Sequence, residues 1–99
     1  MVKVVFSSAI RSSTNGEAER ELPLKGSVSQ VLGELVKVYG DKFGTRIMQD
    51  GKPRRFVNIY VNGKDIRFLQ DVETQVGDGD TVDLIPAVSG GSGAVLGRA

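Results

Sequence analysis

The sequence contains no cysteine and no histidine. Without cysteine there is no thiol nucleophile, no disulfide and no Cys/His zinc site, and without histidine there is no imidazole for acid–base catalysis. Serines such as Ser7, Ser8, Ser12 and Ser13 therefore lack the histidine that would activate a hydroxyl nucleophile. We expect a protein that is not itself an enzyme and that binds no metal.

An excess of charge of either sign is also missing, because 13 basic and 12 acidic residues leave a net charge of +1. This balance gives no general electrostatic case for binding nucleic acid or a membrane surface. No apolar run approaches the ~18 residues of a bilayer-spanning helix, and residues 3–10 lack the pattern of a secretory signal. We therefore expect a cytoplasmic protein, and 99 residues suit one small domain.

The first half of the chain predicts two strands and one helix. Residues 2–7 alternate in polarity, and a second strand with an edge position follows the turn-forming residues 11–17. Ser27 and Gln30 have the spacing of a capping box, and apolar residues then recur every three or four positions up to Gly40. Residues 41–55 hold several chain breakers and predict a loop or a short irregular segment.

The second half is richer in strands. Residues 56–61, FVNIYV, give the strongest strand pattern of the chain, with Val57, Ile59 and Val61 facing one way. Asn62-Gly63 is the signal of a type I′ hairpin. After it we expect, in order, a short strand at 65–67, one helical turn at 71–74, a turn at 77–80 and a last strand at 81–85. One helix on a mixed sheet is an α+β arrangement.

Two charged segments allow more than one interpretation. The sequence GDGD at 77–80 offers two carboxylates, which are too few for a metal site without the rest of an EF-hand pattern, so we interpret it as a turn. The basic residues Lys52, Arg54 and Arg55, with Arg46 nearby, predict a solvated loop. Docking of an acidic partner is the alternative.

Aromatic residues are few, and three of them point to a surface. If Val57, Ile59 and Val61 face the helix, then Phe56 and Tyr60 lie on the open side of the sheet. Phe68 can join them from the short strand. Exposed aromatics on such a face favour a partner surface, and the alternative is that long loops cover them.

The tail, IPAVSGGSGAVLGRA, contains an adjacent glycine pair soon after the last strand. From Ala87 to Gly91 an extended chain reaches roughly 16 Å. Glycine lacks a Cβ, so such a chain can thread a narrow channel and let another enzyme approach its backbone closely. These properties suit a carboxyl terminus that is delivered into the active site of a second protein.

The ending GDGDTVDLIPAVSGG resembles that of the MoaD/ThiS-type sulfur carriers. The segment RFVNIYVNGKDIRF, residues 55–68, is similar in particular to the CysO-type carriers of cysteine biosynthesis. The resemblance covers residues 1–91 and implies the β-grasp (ubiquitin-like) fold, a mixed sheet of four to five strands with one main helix. It also implies that the last strand lies beside the first, and it leaves residues 92–99 as a C-terminal extension.

The resemblance implies that an E1-like adenylyltransferase uses ATP to activate the Gly91 carboxylate, and that sulfur then replaces AMP to give a thiocarboxylate. Gly90 supplies the slim approach. A PLP-dependent cysteine synthase would accept the sulfur, and a metal-dependent peptidase would release the cysteine adduct, so ATP, PLP or zinc is expected only on partners. We expect partner contacts at Phe56, Tyr60, Phe68, Pro86 and Val88.

This chain departs from the family pattern because it continues past the second glycine with SGAVLGRA. Gly91 then sits in an amide bond and has no free carboxylate, so we expect cleavage of the Gly91–Ser92 bond before activation. A tail that is never processed is the alternative. Sulfur supply for molybdopterin or thiamin, and ubiquitin-like modification of other proteins, stay open as functions because they use the same fold and activation chemistry.

Overall fold

The computed structural model describes residues 1–87 as strands, two α-helices and short 3₁₀ helices. In chain order these are β1 (Val2–Phe6), a 3₁₀ helix (Ser8–Ser13), β2 (Glu19–Leu22), β3 (Gly26–Ser27), α1 (Val28–Tyr39), α2 (Asp41–Ile47), β4 (Met48–Gln49), β5 (Lys52–Pro53), β6 (Val57–Val61), β7 (Lys64–Asp65), two 3₁₀ helices (Ile66–Phe68 and Asp71–Glu73), β8 (Gln75–Val76) and β9 (Thr81–Pro86). Within this range, neither α-helix has the length and apolar character needed to cross a bilayer.

The main sheet has five strands in the order β2-β1-β9-β6-β7. β1 and β9 run parallel, while β2 pairs antiparallel with β1, and β6 pairs antiparallel with β9. The sheet is therefore mixed, with the last strand between β1 and β6. Together with the single long helix across it, this arrangement confirms the predicted β-grasp fold, and it confirms the edge position of β2.

Helix α1 begins and ends where the sequence predicts. The Gln30 amide donates to Ser27 Oγ (3.2 Å), and the Ser27 amide donates to Gln30 Oε1 (2.8 Å), so both halves of the capping box are formed. Gly40 ends the helix with φ 79°, a conformation that favours glycine. The buried stripe of the helix consists of Val28, Val31, Leu32, Leu35 and Tyr39.

The core lies between this stripe and one face of the sheet. β1 and β6 show the same alternation, with every second side chain buried, and β9 contributes Val82 and Leu84 to the same layer. Phe6 packs edge-on against Tyr39, with ring centroids 5.6 Å apart. Full burial of a side chain such as Phe6 stabilises the fold by roughly 1.5–3 kcal/mol relative to leaving it in water.

Two predicted segments differ from the structure. Residues 41–55 are not simply a loop, because α2 is followed by a small hairpin of β4 and β5. Phe43 and Ile47 are fully buried on one side of α2, and this single pair spaced by four is too short a pattern to stand out beside Gly44. The short strand predicted at 65–67 ends at Asp65, after which the chain forms a 3₁₀ helix.

The turns agree with prediction. Asn62 and Gly63 have φ values of 50° and 87°, as a type I′ hairpin between β6 and β7 requires. At 77–80, the Asp80 carboxylate accepts hydrogen bonds from the Gly77 amide (2.8 Å) and from Asn62 Nδ2 (3.0 Å). These bonds hold the pKa of Asp80 below its usual value. Within residues 1–87, no three His, Cys, Asp or Glu side chains gather as metal ligands.

Candidate functional site at the end of the last strand

The last strand, β9, is central in the sheet and ends beside the start of β6. β9 lies between β1 and β6, parallel to the first and antiparallel to the second. At its end Pro86 lies opposite Val57, and the Ala87 amide then donates a hydrogen bond to the Phe56 carbonyl. The polypeptide that continues toward the two glycines is therefore anchored to the start of β6 as far as Ala87.

A proline at the end of a central strand is explained by the alternation of hydrogen bonds across β6 and β9. The Ala87–Phe56 bond marks one bonded pair, so the Pro86 nitrogen faces away from β6 and toward β1, whose pairing with β9 ends at Phe6 and Leu84. The Pro86 side chain is buried on the same face as Val82. This position is at odds with the predicted contact of Pro86 with a partner, which needs exposed surface.

The three predicted aromatic contacts lie in different surroundings. Phe56 precedes β6 and is 43% exposed, next to the point where Ala87 leaves the sheet. Tyr60 is half-buried on the open face of the sheet, opposite Asp83 and Asp65. Phe68 is 86% exposed and lies in a 3₁₀ helix, not in the predicted strand. The described part of the chain therefore leaves Phe56 and Phe68 uncovered, and their contact with a partner stays a prediction.

Ile85 belongs to this surface and was missed from the sequence. It is 43% exposed, although it lies in the central strand and is followed by the buried Pro86. The strict alternation in β9 explains this, because Asp83 and Ile85 face away from the helix while Leu84 faces it. The same alternation, read along TVDLIP, was the signal that could have identified Ile85.

Charged side chains surround the open face. Arg67 Nη2 donates to Asp65 Oδ2 (2.5 Å) and to Asn58 Oδ1 (3.0 Å), which ties the short 3₁₀ helix to β6. The hydrogen bonds from Arg67 hold the pKa of the Asp65 carboxyl below its usual value. Near the other edge of the sheet, which β2 forms, Lys3 Nζ lies 3.7 Å from Glu19 Oε1. The surface thus has apolar contacts at its centre and ion pairs at its edges.

The predicted site residues Val88, Gly90, Gly91 and Ser92 lie outside the described residues. The structure describes the start of the segment that leads to them, Ile85 to Ala87 with the neighbouring Phe56, which we call its root. This root combines a buried strand end, an exposed Ile85 and an exposed Phe56. Exposed apolar side chains beside a strand end are suited to contact with another protein.

Solved structures of known proteins share this arrangement. One chain of the crystal structure of the Amycolatopsis orientalis BexX/CysO complex aligns with a TM-score of 0.81 at 33% identity, covering 92% of this chain and 100% of that one. The domain is thus a ubiquitin-like β-grasp domain. The ThiS family model matches residues 4–91, and the chain belongs to the ThiS family.

Two curated relatives represent different activities within this fold. The sulfur carrier protein CysO of Mycobacterium tuberculosis is 36% identical over 94 residues, which cover 91% of this chain and 98% of that protein. The small archaeal modifier protein 3 of Haloferax volcanii is 35% identical over 65 residues, which cover 66% of this chain and 70% of that protein. Similarity therefore extends to a carrier over almost the full length and to a modifier over a shorter part.

Proposed function

We propose that this chain is a sulfur carrier that bears a thiocarboxylate on Gly91 and serves as a protein cosubstrate. The observation that carries the proposal is the end of the family match at residue 91, the second glycine of the pair. The hydrogen bond that holds Ala87 to Phe56 at the end of β9 supports it, because the two glycines follow this bonded residue by only a few positions. The missing cysteine and histidine fit a chain whose partners supply the catalytic groups.

The proposed chemistry takes place at the backbone terminus. The Gly91 carboxylate attacks the α-phosphate of ATP on an E1-like adenylyltransferase and displaces pyrophosphate, which gives an acyl adenylate. A sulfur donor then attacks the acyl carbon and displaces AMP, so that sulfur replaces one carboxyl oxygen. The carrier contributes the carboxylate and a slim approach through Gly90, whose lack of a Cβ lets the partner enclose the backbone.

Within this class, we favour sulfur donation in cysteine biosynthesis. The nearly full-length similarity to CysO of Mycobacterium tuberculosis supports this assignment. A PLP-dependent cysteine synthase would then accept the sulfur, and a metal-dependent peptidase would release the product. The shorter similarity to the small archaeal modifier protein 3 keeps protein modification as the second candidate, and carriers for molybdopterin or thiamin form the third.

The extension after Gly91 makes proteolysis part of the proposal. In the full chain the Gly91 carbonyl is bound to the Ser92 nitrogen, so no carboxylate exists there to react with ATP. Hydrolysis of this one bond supplies the carboxylate and releases residues 92–99. Mass spectrometry of the protein from its native host tests this step, and the presence of full-length chains alone would contradict it.

Two purified chains test the carrier function, one ending at Gly91 and the other at Ala99. Each is incubated with an E1-like adenylyltransferase, ATP and a sulfide source, and intact masses are measured. We expect the mass change of one oxygen replaced by sulfur in the Gly91 chain only. A third chain ending at Gly90 is the matched control for length. Conjugates of high mass on other proteins would favour the modifier, and no change in the Gly91 chain would contradict both.

A further inference from the structure

A cleft of about 370 Å³ follows the outer edge of β6. Its walls are the segment before β6 and the 3₁₀ helix Ile66–Phe68, and its floor includes core side chains of β6. The residues that matter here are Arg54, Arg55, Val57, Ile59, Ile66 and Arg67. Arg55 and Val57 of its lining flank Phe56, whose carbonyl accepts the Ala87 amide on the opposite side of β6.

The floor of the cleft is an incompletely paired strand edge. Even-numbered residues of this stretch direct their backbone groups toward β9. The bonds from the Ala87 amide to Phe56 and from the Asn62 amide to Thr81 show this. Val57 and Ile59 therefore direct their backbone groups to the opposite side, where β7 pairs only with Tyr60 and Val61.

Two backbone groups are left on this edge. The Val57 amide is used, since it donates to the Arg54 carbonyl (2.9 Å). Within residues 1–87, the Val57 carbonyl and the Ile59 amide have no backbone partner outside the sheet ladders, and the register of β7 stops at Tyr60. An acceptor and a donor two residues apart on one strand edge form the pair that an added strand uses.

The rim of the cleft carries a surplus of positive charge. Three guanidinium groups, from Arg54, Arg55 and Arg67, face two carboxylates, from Asp65 and Asp71. Asp65 is already engaged by Arg67, and Arg54 Nε donates to the Thr45 carbonyl (2.9 Å).

Arg55 differs from its neighbours. It is exposed, and its side chain has neither a hydrogen bond nor an ion pair within residues 1–87. A planar guanidinium without a partner at the mouth of a cleft is suited to binding a carboxylate through two parallel hydrogen bonds.

We propose that this cleft binds an extended acidic segment of a partner protein, which adds a short strand to the outer edge of β6. Backbone groups of the segment bond the Val57 carbonyl and the Ile59 amide, and its carboxylates pair with Arg55 and Arg54. The proposal rests on the proposed function, because a partner that handles Gly91 must hold the domain near Ala87. The basic run at 52–55 thereby has a role beyond a solvated loop.

An NMR titration of the full chain tests the proposal. The probe is a blocked five-residue peptide of alternating glutamate and valine, added to ¹⁵N-labelled protein at moderate salt. We expect amide shifts at Arg55, Ile59 and Ile66. Arg55→Glu should weaken binding about tenfold or more, since it removes a charge-assisted hydrogen bond and repels the peptide. Lys52→Glu is the matched control, because Lys52 is exposed in the same basic run but does not line the cleft.

Five results would overturn the proposal. Equal weakening by both variants would mean that only long-range charge acts, and unchanged binding after backbone N-methylation of the peptide would mean that no strand is added. Shifts confined to the open face would place the peptide elsewhere. Shifts at residues 88–91 on Arg55→Glu without peptide would make the chain's own tail the occupant. A Gly91 chain that gains sulfur while the peptide fails to bind would leave the carrier function intact and remove only this inference.

Discussion

Tyr39 shows how one polar group is accommodated in an otherwise apolar core. Its ring packs between Phe6 and Phe43, and its hydroxyl donates a hydrogen bond to the Glu17 carboxylate. Arg20 lies over the ring, 5.7 Å from its centroid, and pairs with Glu17 at 3.3 Å. The pKa of Tyr39 is raised to about 12, mainly by burial and secondly by the hydrogen bond to Glu17. This residue therefore joins the end of α1 to the chain that enters β2.

Tyr39→Phe should destabilise the protein by about 1–2 kcal/mol at neutral pH, because it removes a hydrogen bond to a charged group. The raised pKa gives the neutral phenol extra stability that is complete below about pH 10, the unfolded value, and is lost as the pH rises through about 12. Urea unfolding of both proteins across this range measures the effect. The stability difference should shrink in that window, and a constant difference would contradict the assignment.

Ile85 is the residue on which recognition of the open face should depend most. It is a partly exposed branched side chain two positions before Ala87, so we expect a partner that receives the following segment to cover it. Ile85→Glu should raise KM for the adenylating enzyme about tenfold, the effect of losing roughly 1.4 kcal/mol at a contact.

Val38→Glu is the matched control for this substitution. Val38 is 37% exposed on α1, on the other side of the molecule from the open face. Both variants should lower the free energy of unfolding by a similar amount, about 1 kcal/mol, since each side chain is partly covered. Equal KM values for Ile85→Glu and the unaltered chain would exclude the open face from this interaction.

At the level of elements, the first turn of α1 is bonded to a distant part of the chain. Ser27 is buried and belongs to β3, which pairs with β8, while Val28 donates its amide to the Thr74 carbonyl at 2.9 Å. Backbone bonds of Ser27 and Val28 therefore join the helix start to the connection that precedes β9. The Ser27 hydroxyl serves the helix itself, since it accepts a hydrogen bond from the Gln30 amide.

Ser27→Ala should lower the free energy of unfolding by about 1 kcal/mol, as is usual when a serine cap is removed. Ser29→Ala is the control, because Ser29 is exposed inside the same helix and alanine has the higher helix propensity. Chemical denaturation of both variants measures the difference. If the two substitutions had the same effect, the cap would contribute nothing beyond helix propensity.

The elements also show how far the sequence could predict the fold. Helix α1 was predictable because its cap, its apolar stripe and Gly40 agree, and β1 and β6 were predictable from alternation alone. Helix α2 was not, because its buried residues, Phe43 and Ile47, lie one turn apart and their burial depends on packing against α1. Local pattern fails where an element is too short to repeat.

For the site, the sequence predicted the glycine-containing segment but not the surface that Phe56 and Ile85 form where this segment begins. The glycine pair is visible in the letters, and so is the parity of Phe56 and Tyr60. The alternation along TVDLIP already separates Val82, Leu84 and Pro86 from Ile85, whereas the central position of β9 depends on its pairing with two distant strands. The cleft beside β6 likewise arises because β7 ends early, which no local signal marked.

At the scale of the whole molecule, the fold and the proposed chemistry occupy separate parts of the chain. β9 completes the sheet, since Val82 and Leu84 are fully buried and the strand pairs with both β1 and β6. Within residues 1–87, the hydrogen bond nearest the end of this framework is the one from the Ala87 amide to the Phe56 carbonyl. The residue proposed to carry sulfur, Gly91, lies beyond it, so the domain should fold without its functional terminus.

A chain that ends at Ala87 should therefore keep the melting temperature of the full chain within about 3 °C, because every pairing of β9 is retained. A chain that ends at residue 80 lacks β9 and should not fold. Circular dichroism during heating measures both. The Ala87 chain should also compete with the Gly91 chain for the adenylating enzyme without gaining sulfur, since it keeps Ile85 and Phe56 but has no glycine end. A large drop in its melting temperature would show that the fold depends on the removed residues, and a failure to compete would show that the enzyme does.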